Sequence, residues 1–66
     1  MIKTVKELKK GEFFTLKEIE EPTEMQVYIR GDYIPSEKVY ACSKFGDMNY
    51  ERFFKGNRKV YVGFTF

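Results

Sequence analysis

Two short segments of the chain alternate apolar and polar side chains with a period of two residues. Because successive side chains of a β-strand point to opposite faces, residues 25–30 and 58–66 are both predicted to be strands with one buried face. In the first segment the outward residues are then Gln26, Tyr28 and Arg30. The predicted centre of the core comprises Val27, Ile29, Val62 and Phe64.

The composition points to a single small domain spanning residues 1–66. The chain holds seven phenylalanines and five tyrosines but no histidine, no tryptophan and one cysteine. A domain of this size buries only about 60% of the surface that its unfolded chain exposes, so large aromatic side chains must supply much of its core. No intramolecular disulfide can add to it.

The first ten residues contain a signal for one helical turn. Thr4 and Glu7 have the spacing of a capping box, and Gly11 is placed to end the turn. We therefore expect a short helix over residues 4–9. Its buried stripe would contain Ile2, Val5 and Leu8.

Four further segments and their turn residues complete the predicted order of elements. Residues 12–17 and 38–45 are predicted strands, residues 18–24 a polar loop, and residues 50–55 either a fourth strand or a helical turn. Gly31 and Asp32 indicate a bulge or turn, and residues 55–57 a tight connection. The direction in which Tyr40 and Cys42 face stays open. We therefore expect a mostly β fold, a small antiparallel barrel of four to five strands with one or two short helical turns.

A resemblance supports this layout. The pattern Val5-x-x-Leu8-x-x-Gly11-x-Phe13, followed by a Val-Tyr-Ile-Arg strand and a terminal Lys-Val-Tyr-Val strand, resembles small uncharacterised bacterial and phage-borne β-barrel proteins with an SH3-like arrangement. The resemblance spans most of the chain. It implies a fold and no activity.

The side chains available exclude most catalytic chemistry. Without histidine there is no Ser/His or Cys/His nucleophile and no Cys/His zinc site, and no glycine-rich phosphate motif is present. We predict no enzyme activity, no cofactor and no metal site. Cys42 is interpreted as an inert core residue, with activation by Lys44 as the alternative. The acidic residues of the loop, which fit a solvated surface better than a cation site, are Glu18, Glu20, Glu21 and Glu24.

One combination of side chains indicates binding. If the strand parities hold, a face opposite the core interleaves aromatic and basic groups, as on barrels that hold single-stranded nucleic acid. The ordinary alternative is a solvated strand face, since tyrosine favours strands and lysine protects edges. The predicted binding residues are Tyr28, Arg30, Lys44, Lys59 and Tyr61, with Tyr33 and Tyr40 as additional candidates.

Three functions are compatible with these features. The favoured one is a non-catalytic binding module for a protein or peptide, since SH3-like grooves lined by tyrosine dock extended peptides. The alternatives are an accessory protein that binds single-stranded nucleic acid and a structural homo-oligomer formed by edge-strand pairing. The net charge of +2 does not choose among them. Without a long apolar segment or a signal peptide, we expect a cytoplasmic protein with no membrane partner.

Overall fold

The computed structural model describes residues 1–66 and contains two antiparallel sheets with no α-helix. The strands are β1 Ile2–Thr4, β2 Phe13–Phe14, β3 Tyr28–Ile34, β4 Val39–Lys44, β5 Glu51–Lys55 and β6 Lys59–Tyr61. Single 3-10 turns occupy Val5–Glu7 and Glu24–Gln26. The large sheet has the order β2-β3-β4-β5, and the small sheet pairs β1 with β6. The mostly-β prediction is confirmed, but there are six strands where four to five were expected, and the sheets do not close into a barrel.

The amino-terminal turn forms where the capping residues predict it. The carboxylate of Glu7 accepts hydrogen bonds from the backbone N–H and from the hydroxyl of Thr4, both at 2.8 Å. Val5 and Leu8 are buried as predicted, whereas Ile2 is 55% exposed because it belongs to β1 and pairs with Tyr61. The turn is shorter than the helix expected over residues 4–9.

The core lies between the inner face of the large sheet and the small sheet. Its centre is aromatic: Phe14 stacks on Tyr28 with ring centroids 5.6 Å apart, and Phe54 meets both rings edge-on at 5.8 and 5.7 Å. Such offset and edge-on pairs are the favoured aromatic geometries. The cluster is completed by Val5, Leu8, Cys42 and Val60.

The predicted facing of the third strand is wrong. Residues 24–26 form a 3-10 turn, so the strand begins only at Tyr28, whose side chain turns into the core and is 5% exposed. Val27 is fully buried as predicted, but it lies before the strand. Ile29 therefore points to the outer face and is only partly buried, and Met25 is 50% exposed.

Strands β4 and β5 show which way Cys42 faces and which element residues 51–55 form. Pairing between β3 and β4 is irregular between Arg30 and Tyr33, as the Gly31-Asp32 signal predicts. A Cβ atom at Gly31 would overlap the backbone carbonyl oxygen of Ala41, so the close approach of the two strands requires glycine. Cys42 faces the core and is fully buried. Residues 51–55 form β5 rather than a helical turn.

The carboxyl-terminal segment is held mainly outside the sheets. The ladder of β6 ends at Tyr61, and the N–H groups of Val62 and Thr65 donate to the carbonyls of Met1 and Glu20 at 2.8 and 2.9 Å. Phe64 and Val62 are partly buried, so neither is at the core centre, although Val62 packs against the core. The expectation that one long strand would cover residues 58–66 is wrong, because the polypeptide leaves the ladder after three residues.

The outer face of the large sheet is left open. Phe13 and Phe53 are 40% and 55% exposed there, and Ile29 and Ala41 are partly buried between them. The Phe13 ring also contacts the rings of Phe45 and Phe66, at 5.4 and 5.8 Å between centroids. No helix in the structure is long and apolar enough to span a membrane.

Candidate anion-binding site

The five predicted binding residues do not share one surface. Tyr28 is in the core, so its ring cannot stack on a ligand and its predicted outward position is wrong. Arg30 and Lys44 lie on the large sheet, on the same face as Tyr28 but towards its margin. Lys59 and Tyr61 belong to β6 of the small sheet.

The small-sheet pair offers little for recognition. Lys59 is exposed and pairs with Thr4. Tyr61 is half-buried, because its backbone pairs with Ile2 on one side and exchanges hydrogen bonds of 2.9 and 3.0 Å with Thr15 on the other. This exchange joins the small sheet to the end of β2. Tyr61 therefore has a clear role in connecting the two sheets.

A different set of cations gathers on the inner face of the large sheet. In the cross-strand register Arg30 pairs with Cys42, and Cys42 pairs with Arg52, so the three side chains form one row on one face. Directly paired residues of an antiparallel ladder project to the same side. Arg58, just before β6, contacts the same region through the ring of Phe54. We call Arg30, Arg52 and Arg58 the arginine cluster.

Each guanidinium of the cluster lies over an aromatic ring. The Cζ atom of Arg30 is 4.3 Å from the centroid of Tyr40, and those of Arg52 and Arg58 are 5.0 and 5.6 Å from the centroid of Phe54. Cation–π contact restrains a long side chain without using its hydrogen-bond donors. The planar guanidinium edges therefore stay available to an acceptor.

One donor atom of Arg30 has no hydrogen-bond partner. The side chain is half-buried, its Nε atom is shielded from solvent, and no hydrogen-bond acceptor within the protein contacts that atom. A buried donor on a charged group that lacks an acceptor is costly, by about 1–3 kcal/mol or more. The only ion pair in the protein joins Lys10 and Asp32 at 2.6 Å on the surface, so no carboxylate forms an ion pair with Arg30, although Lys10 and, to a lesser extent, the charge of Arg30 lower the pKa of Asp32.

Lys44 extends the aromatic-basic character at the other end of β4. Its Nζ atom is 4.5 Å from the centroid of Tyr50 and 5.8 Å from that of Tyr28. Lys44 is thus brought near the predicted partner Tyr28, but the two meet inside the edge of the core. Lys44 borders the arginine cluster along β4, two residues from Cys42.

Cys42 lies between two arginines and is nevertheless suited to a packing role. Burial raises the pKa of its thiol, and this outweighs the opposing influence of a backbone hydrogen bond from Gly31 and the charge of Arg30. The thiol is 3.7 Å from the carbonyl oxygen of Tyr40, an acceptor that suits the protonated form. The interpretation of Cys42 as a core residue is confirmed.

The largest cleft of the structure lies elsewhere. It has a volume of about 470 Å³ and lies between the acidic loop and the carboxyl-terminal segment. The charged side chains that line it are Glu18 and Glu20, and both are exposed. No group of three acidic, cysteine or histidine side chains is arranged to hold a metal ion. The cleft is also lined by Tyr61 and by Met1, whose ammonium group donates to the carbonyl of Val62 at 3.2 Å.

Sequence reasoning missed Tyr40 as the support of Arg30, and it missed Arg52 and Arg58 entirely. A signal was present for Arg52, since it precedes the apolar pair Phe53-Phe54 in a segment of β propensity. With strand and helix both open for residues 50–55, no face could be assigned to it. No protein family, characterised protein or solved structure matches the chain.

Proposed function

We propose that the protein is a non-catalytic binding module whose arginine cluster holds a carboxylate group of an acidic protein or peptide segment. The observation that supports this most directly is the shielded Nε atom of Arg30, which lacks an acceptor in a residue that forms no ion pair. A carboxylate that docks on the half-buried guanidinium supplies the counter-charge, and it supplies the acceptor once the side chain turns its Nε–H outward. The gain in binding free energy is large because the cost of shielding the Nε donor from water is already present in the free protein.

The geometry of arginine favours a planar anion. A guanidinium presents its donors as a fork that matches the two oxygens of a carboxylate, and charge-assisted hydrogen bonds of this kind are about twice as strong as neutral ones. The Tyr40 ring restrains Arg30 before binding, which lowers the entropy lost when the complex forms. Arg52 lies two strands away in the same row, with Cys42 between them, so a peptide crossing the strands can meet both cations.

Single-stranded nucleic acid is the second candidate, since phosphate oxygens also fit the arginine fork. The stacking part of that function is weakened. Tyr28 is buried, and the rings of Tyr40 and Phe54 already carry guanidinium groups of the protein itself. Sequence-tolerant binding of single strands depends on rings that are free to stack on bases. A protein partner is therefore the better proposal.

The SH3-like layout belongs to the same proposal. Two contacts support it: the reciprocal Thr15–Tyr61 bridge between the sheets, and the N–H of Lys6, which donates to the carbonyl of Gly56, in the turn after β5, at 3.1 Å. They hold the small sheet across the ends of the large one, as in a partly open barrel. Kinship with the bacterial and phage-borne proteins named above and a cytoplasmic location stay predictions.

Fluorescence anisotropy can test the proposed function. A labelled glutamate-rich peptide, a glutamine-rich peptide of the same length and a mixed-sequence single-stranded DNA would each be titrated at two salt concentrations. Arg30→Gln is expected to weaken binding of the glutamate-rich peptide by at least about tenfold, as loss of a charge-assisted pair implies. Lys17→Gln removes the same charge from an exposed position outside the cluster and should change the affinity by less than about twofold.

Three results would contradict the proposal. The first is absence of binding to the acidic peptide, and the second is an equal loss in the Arg30 and Lys17 variants, which would reduce the effect to general charge. The third is a preference for the DNA that depends on Lys59 and Tyr61, which would return the function to the small sheet and to nucleic acid.

A further inference from the structure

Strand β5 is an open edge of the large sheet. It pairs with β4 along one side and with no strand along the other. It contains no proline and its register with β4 is unbroken over five residues, from Glu51 to Lys55. An edge of this length exposes a row of backbone donors and acceptors to a further strand.

The backbone groups that point away from β4 can be identified. The N–H of Lys44 donates to the carbonyl of Tyr50 at 3.2 Å, so Tyr50 is turned towards β4. Backbone groups of an antiparallel strand alternate in direction, which turns residues 52 and 54 inward as well. The groups of Glu51, Phe53 and Lys55 therefore point outward.

The outward residues are arranged symmetrically about Phe53. Glu51 lies two positions before it and Lys55 two positions after it, and neither forms an ion pair within the protein. We propose that β5 pairs antiparallel with β5 of a second copy of this chain, with the two-fold axis at Phe53. The partner is a second copy because an identical strand, turned end for end, places opposite charges face to face at both ends.

In this register the side chains on both faces of the extended sheet lie opposite favourable partners. On the outer face Phe53 meets its own symmetry mate, and Glu51 of each copy lies opposite Lys55 of the other. Opposite charges paired directly across strands stabilise a sheet, and like charges there destabilise it. On the inner face the register pairs Arg52 with Phe54 of the second copy.

The same register supplies backbone hydrogen bonds. The two Phe53 residues donate to each other, and the N–H of each Lys55 donates to the carbonyl of Glu51 in the other copy. The carbonyl of Lys55 already accepts a bond of 3.0 Å from Arg58 in the turn to β6, so the new ladder ends there. The open apolar face of the large sheet then continues across the axis, with Phe53 at its centre.

Charge exchange at the two ends tests this register. Wild-type protein is expected to rise from a mass of 7.9 kDa towards twice that value in sedimentation equilibrium as its concentration approaches about 0.5 mM. Glu51→Lys places two like-charged lysine pairs across the axis, and Lys55→Glu places two glutamate pairs there. Each variant alone should therefore stay monomeric.

An equimolar mixture of these two variants is the decisive sample. In the mixed pair every lysine faces a glutamate, so association should return to at least the wild-type level. Amide NMR spectra of each variant, whose changed side chains are exposed, would confirm that the fold is retained. A wild-type protein that stays monomeric, single variants that associate like wild type, or a mixture that stays monomeric would each overturn the proposal. These changes leave Arg30, Arg52 and Arg58 in place, so association is tested without removing any residue of the arginine cluster.

Discussion

Phe53 and Phe54 are consecutive residues of one strand, yet the first is 55% exposed on the open face of the large sheet and the second is 4% exposed in the core. Strand alternation imposes this difference, because neighbouring side chains leave opposite sides of the backbone. The two positions therefore form a matched pair for measuring what the core contributes.

Phe54→Ala should lower the free energy of unfolding by about 3–5 kcal/mol, since Phe54 meets both Phe14 and Tyr28 and its loss leaves a cavity. Phe53→Ala should change the same quantity by no more than about 0.5 kcal/mol. Urea denaturation at low protein concentration, where the chain is monomeric, measures both. Similar losses in the two variants would mean that β5 is oriented differently.

Gly31→Ala should disrupt the junction of β3 and β4. Its Cβ atom would overlap the carbonyl oxygen of Ala41, a backbone atom that cannot rotate away, and overpacking of this kind costs about 1–3 kcal/mol or more. Gly11→Ala is the comparison, because Gly11 has a φ of 93° but open space around it. Thermal unfolding should show a greater loss for Gly31→Ala. A smaller loss than for Gly11→Ala would contradict the close approach of the strands.

Cys42 should make the protein less stable at alkaline pH. Burial raises the pKa of its thiol in the folded state, so the favourable contribution is complete below the ordinary thiol pKa of about 8.5 and is lost as the pH rises towards the folded value. The difference in unfolding free energy between wild type and Cys42→Ala should therefore shrink between about pH 8 and pH 10. A thiol-reactive dye should label Cys42 slowly in the native protein and rapidly after denaturation. Rapid native labelling would place the thiol at the surface.

Glu7 should contribute to stability in the opposite pH range. Hydrogen bonds from the backbone and hydroxyl of Thr4 lower the pKa of its carboxylate, so its contribution is present above the ordinary glutamate pKa of about 4.3 and is lost as the pH falls through the folded value. Wild type should exceed Glu7→Gln in stability at neutral pH, and the two curves should converge in acid. A constant difference between the curves would show that the carboxylate charge is not involved.

The amino-terminal turn and the irregularity in β3 could be predicted from the sequence, because the residues at these positions favour few backbone conformations. Thr4 with Glu7 predicted a short turn, and Val5 and Leu8 its buried side, although the turn ends at Glu7 and not at Gly11. Gly31 with Asp32 predicted the irregularity in β3. Each signal depends on neighbouring residues alone, through capping, apolar spacing or the freedom of glycine.

The facing of the strands was harder to predict, because apolar residues occur in adjacent pairs. Val27 and Tyr28 are both buried, so alternation over residues 25–30 could not show that the strand starts after Val27. The pair Phe53-Phe54 gave the same ambiguity. The arginine cluster depends on these facings and on a cross-strand register, which is a long-range property that no local pattern contains.

The central claim is that Arg30 offers an unsatisfied donor to a carboxylate, and the Nε–H signal of Arg30 in a ¹⁵N NMR titration with the glutamate-rich peptide tests it most directly. This signal is expected to shift as peptide is added, together with amide shifts at Cys42 and Arg52 in the same row. An unchanged Arg30 Nε–H signal at saturating peptide, with shifts confined to Lys59 and Tyr61 on the small sheet, would contradict it.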